Sequence, residues 1–257
     1  MFRCPICGGK LLHQNRTFVC ANHHTFDQAK EGYVNLSRKQ KKDQGDNKQM
    51  VRARTAFLEK GYYDFLRQYL MSAVSDLSLN TVLDAGCGQG YYTGAIGSCV
   101  KTMAAVDLSK YAVAYASRHD PHTSYAVASI FALPFYDGTF DGVLSTFVPP
   151  APEEIHRVLK PGGYWIMTEP GPRHCLELKQ LLYETVIENP SPANQRDGYL
   201  LIRQECIRQR EHVEDLMNLL DMTPYRYKSP KAGIERVRQQ KESDVTFEFM
   251  VSIWKKI

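Results

Sequence analysis

No apolar run in the 257 residues approaches the length of a membrane span, which excludes a helical membrane protein. No apolar leader opens the chain either. Met1-Phe2-Arg3-Cys4 leads straight into a cysteine motif, so the expected compartment is the cytoplasm. There is no internal repeat and no low-complexity segment, so a repeat array and a disordered tail are both unexpected. Charge of one sign is not in excess: 32 Lys and Arg against 28 Asp and Glu leave +4. That balance is compatible with a nucleic-acid partner and does not require one. Cysteine is sparse and uneven, with three of the seven in the first twenty residues. An odd count without a secretory leader argues against a disulfide framework and for metal binding. What remains is ordinary globular composition, 43% hydrophobic and 23% charged. The length allows one α/β domain and a small appendage.

The appendage comes first. Cys4-Pro5-Ile6-Cys7 is followed by Gly8-Gly9, then by Cys20 and His24, giving C-x2-C-x12-C-x3-H. This is the spacing of a structural zinc site: two knuckles joined by a hairpin with Asn15-Arg16 near its turn. Thiolate and imidazole suit Zn2+, and so short a segment has too little core to fold without a clamp. His24 fits best as fourth ligand, with the adjacent His23 and the nearby His13 as alternatives. Four protein ligands leave no open position, so the expected zinc is structural. Residues 25–37 read as two short strands that finish this module. Residues 38–46, with Arg38, Lys39, Lys41 and Lys42, read as a basic linker suited to a phosphate backbone or simply solvated. Residues 47–79 have helical periodicity with a break at Gly61 and a plausible N-cap at Asn47. Arg52 and Arg54 read as solvated charge.

The chain's main signal is TVLDAGCGQGYYT, residues 81–93. A buried strand runs into three glycines and then a helix start, the way an open α/β sheet forms a nucleotide-type pocket. Gly86, Gly88 and Gly90 would let the backbone turn tightly and approach a ligand. With Asp84 before it, G-x-G-x-G resembles the first motif of class I S-adenosylmethionine (SAM)-dependent methyltransferases. The predicted strand at 102–106 ends in Asp107, 21 residues after Gly86, placed to accept hydrogen bonds from ribose hydroxyls or else to cap the next helix. Further strands are expected at 124–127, 140–145 and 164–168, alternating with helices, in a doubly wound parallel sheet. Ser129 stands where an adenine-binding acid is common. Val148-Pro149-Pro150-Ala151 lacks the acid or amide and the aromatic that many amino-methylating relatives carry around a proline pair. This argues against an exocyclic-amine target. Glu169-Pro170-Gly171-Pro172-Arg173-His174 is a stiff polar loop on the ligand side of the sheet. Beyond it the pattern predicts a strand at 199–209, a helix at 211–220, a bend at 222–227, a helix at 230–241 and a closing strand at 245–254.

The fold class is therefore α/β, a class I methyltransferase (Rossmann-like) domain with an N-terminal zinc-ribbon module. The expected division is a zinc-binding module at 1–37, a basic linker and connecting helices at 38–80, and the methyltransferase domain at 81–257. The cysteine motif, the phrase at 26–36, the glycine turn and Pro170-Gly171-Pro172-Arg173-His174 together resemble the RlmA family. Its members are bacterial methyltransferases acting on guanine N1 of 23S rRNA, and the match covers nearly the whole chain. The resemblance implies Cys4, Cys7, Cys20 and His24 as zinc ligands of an RNA-recognition module. It also implies SAM contacts at Tyr63, Gly88, Gln89 and His174, a hairpin-loop target in 23S rRNA, and a homodimer whose zinc modules help form an RNA cleft. Guanine N1 carries a proton that must leave. Glu169 and His174 are candidate catalysts by position, Arg173 is a candidate contact for O6 or phosphate, and His174 is a candidate partner of the cofactor carboxylate. Two competing readings are a small-molecule methyltransferase using the zinc module to dimerise, and a non-catalytic zinc-ribbon RNA-binding protein.

Overall fold

The computed structural model describes residues 1–38 and 45–257. Lys39, Lys41 and Lys42 of the expected basic linker lie outside the described residues. The chain opens with a three-stranded antiparallel sheet of β1 (Leu12–Gln14), β2 (Thr17–Val19) and β3 (Thr25–Asp27). Asn15 and Arg16 turn it with φ of 47° and 65°, the left-handed backbone that a tight hairpin needs. Every residue of β1 is exposed and none of β2 is fully buried, so this sheet has almost no core of its own. It leans on the main domain through Phe2, whose ring lies 5.6 Å from Phe18 and 5.5 Å from Phe135.

β4 (Val34–Asn35) departs from the expected second strand of the small module. It pairs in parallel with β7 (Ser124–Val127) at the edge of the large sheet. The reason is burial. Val34 and Leu36 are almost wholly buried, and the thin ribbon has no apolar layer to receive them. α1 (Lys48–Leu58) starts where Asn47 accepts the Met50 N–H, and Gly61, at φ 83°, separates it from α2 (Asp64–Asp76).

The βα alternation then builds the sheet. β5 (Thr81–Ala85), β6 (Thr102–Asp107), β7 and β8 (Phe140–Thr146) are separated by α3 (Tyr91–Gly97), α4 (Lys110–His119) and the polar turn at 137–139. α5 (Pro152–Val158) leads into β9 (Leu159–Pro170), whose register with β8 jumps between Leu159 and Tyr164, leaving the Lys160-Pro161-Gly162-Gly163 turn bulged out. The remainder is α6 (Leu176–Leu182), β10 (Tyr199–Val213), α7 (Leu216–Asp221), α8 (Tyr225–Lys228), α9 (Lys231–Gln240) and β11 (Ser243–Lys256). The helix expected at 211–220 starts late. Glu211 and His212 go on pairing with Val245 and Asp244 in the β10–β11 hairpin, and α7 begins only after Asp215 caps it.

The large sheet has the order β10-β11-β9-β8-β5-β6-β7-β4, parallel except for the β10–β11–β9 pairings. The chain leaves β5 toward β6 and β7 and returns to the other side at β8. That reversal opens a crevice at the carboxyl ends of β5 and β8. Beneath it lies an aromatic core in which Tyr63 meets Phe57, Phe247 and Phe249 edge to face at 5.5, 5.0 and 4.9 Å. These contacts fix the height of α2 over the crevice.

Candidate active site and metal centre

The crevice holds a cavity of about 480 Å³, within the range of small-ligand sites. Four of its walls come from segments singled out in the sequence. Tyr63 caps α2; Asp84 lies near the end of β5, and Gly86, Gly88 and Gln89 form the turn after it; Val148, Pro149 and Pro150 follow β8; Glu169 lies at the end of β9 and His174 follows it. The fifth wall, Met222, Thr223, Pro224 and Tyr225, read only as a bend. Its apposition to the glycine turn is a tertiary contact across more than a hundred residues, and no local pattern announces it. Arg54 also lines the cavity and is half-buried, unlike the exposed Arg52. The clue to it is position: it lies four residues after Met50 and three before the buried Phe57, on the border of the apolar face of α1.

The three glycines do different work. A Cβ on Gly86, where φ is 96°, would lie 2.3 Å from Val148 Cγ1. A Cβ on Gly88, at φ 53°, would meet nothing within 4 Å, because that face opens on the cavity. Gly90 does not line the cavity; its Cβ would press on Ala116 at 2.9 Å, so it serves the packing of α3 on α4. Gly86→Ala is therefore expected to destabilise by about 2–4 kcal/mol, from left-handed backbone strain plus overpacking. Gly88→Ala should cost only about 1–2 kcal/mol in stability, from strain alone, yet weaken cofactor binding more. Thermal melts beside ligand titrations of the two variants check the contrast.

Asp84 is buried, and burial pushes its carboxyl up to about 7 although Thr93 Oγ1 donates to Oδ2 at 2.6 Å. Asp107 is raised by burial too, offset by N–H groups of Ser109 (2.7 Å) and Gly88 (3.0 Å) that donate to its two oxygens. It sits against the glycine turn just outside the cavity lining. Ser109 itself caps α4 through the Ala112 N–H. Glu169 is partly buried at the end of β9, its carboxyl raised by burial and drawn back by Arg196. No hydrogen bond reaches that carboxylate among the described residues. Phe147, beside it in the lining, has φ 58°, strained backbone of the kind found at ligand sites.

His174 is buried, and burial with the nearby Lys179 ammonium pushes the imidazole down to about 3. It is neutral at physiological pH. Its Nδ1 accepts the Glu248 N–H at 3.4 Å, which leaves the ring proton on Nε2, facing Cys175 Sγ at 3.1 Å. Glu248 also takes the Arg173 N–H on Oε1 (2.9 Å) and the Gly171 N–H on its carbonyl (2.8 Å), and pairs with Arg208. The 170–174 loop is thus pinned by one almost wholly buried glutamate of β11 that no sequence motif marks. Strand alternation gives its signal: Glu248 faces opposite to Phe247 and Phe249. The Arg173 side chain turns to solvent beside Glu188, at 3.5 Å.

Two buried hydroxyls of the lining, Tyr92 Oη and Thr146 Oγ1, have no hydrogen-bond partner among the described residues. Unsatisfied buried polar atoms are rare, and these two belong to residues that line the cavity. With the open face of Gly88, Asp84 before the glycine turn and Asp107 holding its Gly88 N–H, the cavity fits a nucleoside with a polar tail, as SAM is.

In the ribbon, Cys4, Cys7, Cys20 and His24 place their ligand atoms within 4.8 Å of one another. Cys4 Sγ is 3.6 Å and Cys20 Sγ 3.3 Å from His24 Nδ1, and Cys7 and Cys20 sulfurs are 3.6 Å apart. A tetrahedron with about 2.3 Å zinc–sulfur and 2.0–2.1 Å zinc–nitrogen bonds has edges of about 3.5–3.8 Å, so the donor set fits zinc. His13 instead reaches Gln28 at 3.1 Å and stacks on Phe18, and His23 forms the left-handed turn of the second knuckle. The Gly9 N–H, then His24, draws the Cys7 thiol down to about 6, toward the thiolate a metal needs. Between the first knuckle and residues 129–134 runs a groove of about 820 Å³ carrying Arg3, Arg38, and the exposed Ile6 and Phe131.

Comparison with known proteins agrees with both centres. The family model described as RlmA, N-terminal, matches residues 2–44, and a methyltransferase-domain model matches 83–167. A 23S rRNA (guanine(748)-N(1))-methyltransferase of Streptomyces fradiae is 37% identical over 187 residues, covering 70% of this chain and 67% of its own. YxjB of Bacillus subtilis, named as a 23S rRNA (guanine-N(1)-)-methyltransferase, is 31% identical over a 277-residue alignment, covering 98% of this chain and 96% of its own. Among solved structures, the YcgJ protein of Bacillus subtilis superposes with a TM-score of 0.51 at 16% identity, over 74% of this chain and 97% of that one. This last likeness speaks to fold alone.

Proposed function

The chain belongs to the RlmA family of 23S rRNA (guanine-N1)-methyltransferases, and from that premise we propose that it methylates N1 of a guanine in a hairpin loop of 23S rRNA. The observation that carries the proposal is the joining, in one chain, of a Cys3His cluster on a ribbon and a glycine-turn cavity with the Glu169 carboxylate in its lining. When bound, SAM supplies a methyl group already activated on a sulfonium. The protein's work is then to hold the guanine in line and to take its N1 proton. We assign proton removal to Glu169. The N1 proton would pass to the Glu169 carboxylate, leaving guanine N1 able to take up the methyl group that SAM would supply. His174 is assigned a positioning role, because its Nδ1 is already an acceptor and its Nε2 carries the proton. Tyr63, Asp84, Gly88, Gln89 and Asp107 are assigned to the cofactor.

The rRNA strand is proposed to follow the groove between ribbon and sheet. There Arg3 and Arg38 suit phosphate, and Phe131 offers an exposed face for a base. The target guanine leaves its stack to enter the cavity. No described helix is long and apolar enough to cross a membrane; with an rRNA substrate the proposed compartment is the cytoplasm. A homodimer is proposed as well. β10 is a free sheet edge whose Leu200 and Ile202 are exposed, a surface that a second copy would cover. The decisive experiment is transfer of tritiated methyl from SAM to rRNA from a strain lacking the gene, followed by nucleoside analysis. Label in 1-methylguanosine is expected. Label confined to another nucleoside or to small metabolites overturns the assignment.

A further inference from the structure

The glycine turn and Asp107 account for the nucleoside end of SAM and leave its amino-acid carboxylate without a partner. His174 does not supply the charge, since its imidazole is neutral. We propose that Arg54 recognises this carboxylate, an inference that rests on SAM being the ligand of the cavity. Among the described residues of the lining Arg54 is the sole cation, while the ionisable neighbours Asp84 and Glu169 are acids. An entering carboxylate would meet only repulsion from those acids without it.

The guanidinium is built in for the purpose. Nε donates to Asp46 Oδ2 at 3.0 Å, and Nη2 reaches the same oxygen at 2.9 Å and the Met222 carbonyl at 3.1 Å. Nη1 keeps both of its N–H groups without a partner among the described residues. The side chain is 25% exposed, so it is shielded from water without being sealed from the cavity. Burial pushes up the phenols of Tyr63 and Tyr92 and the carboxyl of Asp107, and the Arg54 charge draws each partly back, which puts it within electrostatic reach of both sides of the glycine turn. Asp46 and Met222 fix the fork from two directions, so little orientation is lost on binding.

Calorimetric titration of the full-length zinc-loaded protein with two ligands tests the assignment. S-adenosylhomocysteine carries the carboxylate; 5′-methylthioadenosine has the same nucleoside and thioether but no amino-acid tail. Arg54→Gln is expected to weaken S-adenosylhomocysteine by about 10–100-fold, the worth of a charged hydrogen-bond pair, and to leave 5′-methylthioadenosine within about twofold. Arg54→Lys should recover part of the loss, and the second ligand reports that the cavity is still folded. Equal weakening of both ligands would mean that Arg54 only holds Asp46 to Met222, and unchanged S-adenosylhomocysteine affinity would remove it from the site; either result overturns the proposal. Wild-type protein that binds neither ligand overturns the cofactor reading itself.

Discussion

Replacing Glu169 with Gln is expected to lower turnover on rRNA by about 10²–10⁴-fold, the usual contribution of a positioned general base, while SAM affinity stays nearly unchanged. Gln keeps the size and hydrogen-bonding reach of Glu and loses the ability to take a proton, so the change isolates that one step. The carboxylate is well suited to it. It lines the cavity at the end of β9, and no hydrogen bond ties it down among the described residues. Burial raises its pKa, which brings it closer to the guanine proton it must accept. The sign of the pH dependence follows. Only the ionised carboxylate accepts a proton, so turnover should fall as pH drops through the raised pKa, with an acid limb above the ordinary carboxylate range. In Glu169→Gln that limb should vanish along with most of the rate. Single-turnover methyl transfer across pH measures both. Wild-type-like rates and an unmoved acid limb in the variant would sink the assignment.

The same residue shows what a sequence discloses. Glu169 was legible because it ends a predicted strand on the ligand side of a doubly wound sheet, where topology alone selects functional positions. The glycine turn and the cysteine knuckles were legible for a related reason: each is a local device whose spacing is set by backbone geometry or metal coordination. Arg54, Tyr92 and Met222–Tyr225 were not, because their places in the cavity lining come from contacts between segments far apart in the chain. Arg54 looks like surface charge until the Met222 carbonyl is seen to lie against it. Glu248 looks like one polar residue in an alternating strand until the 170–174 loop is laid over it. β4 escaped because two buried residues, Val34 and Leu36, do not say which sheet buries them. His174 was found but its protonation was not, since neutrality depends on the tertiary burial around it.

Loss of the metal should separate the two halves of the molecule. Cys20→Ser is expected to abolish zinc retention and most rRNA methylation, yet leave S-adenosylhomocysteine binding and the main unfolding transition intact. The ribbon strands bury so little that β1–β3 have no adequate core once the cluster is open. Structural zinc contributes about 10–16 kcal/mol in small metal-folded modules, far more than three short exposed strands could supply. The largest buried cluster of the methyltransferase sheet, by contrast, is closed around its own aromatics and holds no ribbon residue; a second cluster shares Phe2, Cys4, Leu11 and Cys20 with the ribbon. Among the contacts that span the two are Phe2 on Phe135 and the Arg3 N–H on the Pro134 carbonyl at 2.8 Å. Those residues precede or adjoin the knuckle, so opening it should free the first strands and the groove wall carrying Arg3 and Ile6 while leaving β5–β9 untouched. Zinc analysis should give one ion per wild-type chain and none in the variant. Amide exchange should quicken through residues 2–27 and stay slow in β5–β9. A variant that keeps stoichiometric zinc and full rRNA methylation would show that Cys20 is no ligand and that the ribbon owes its shape to something else.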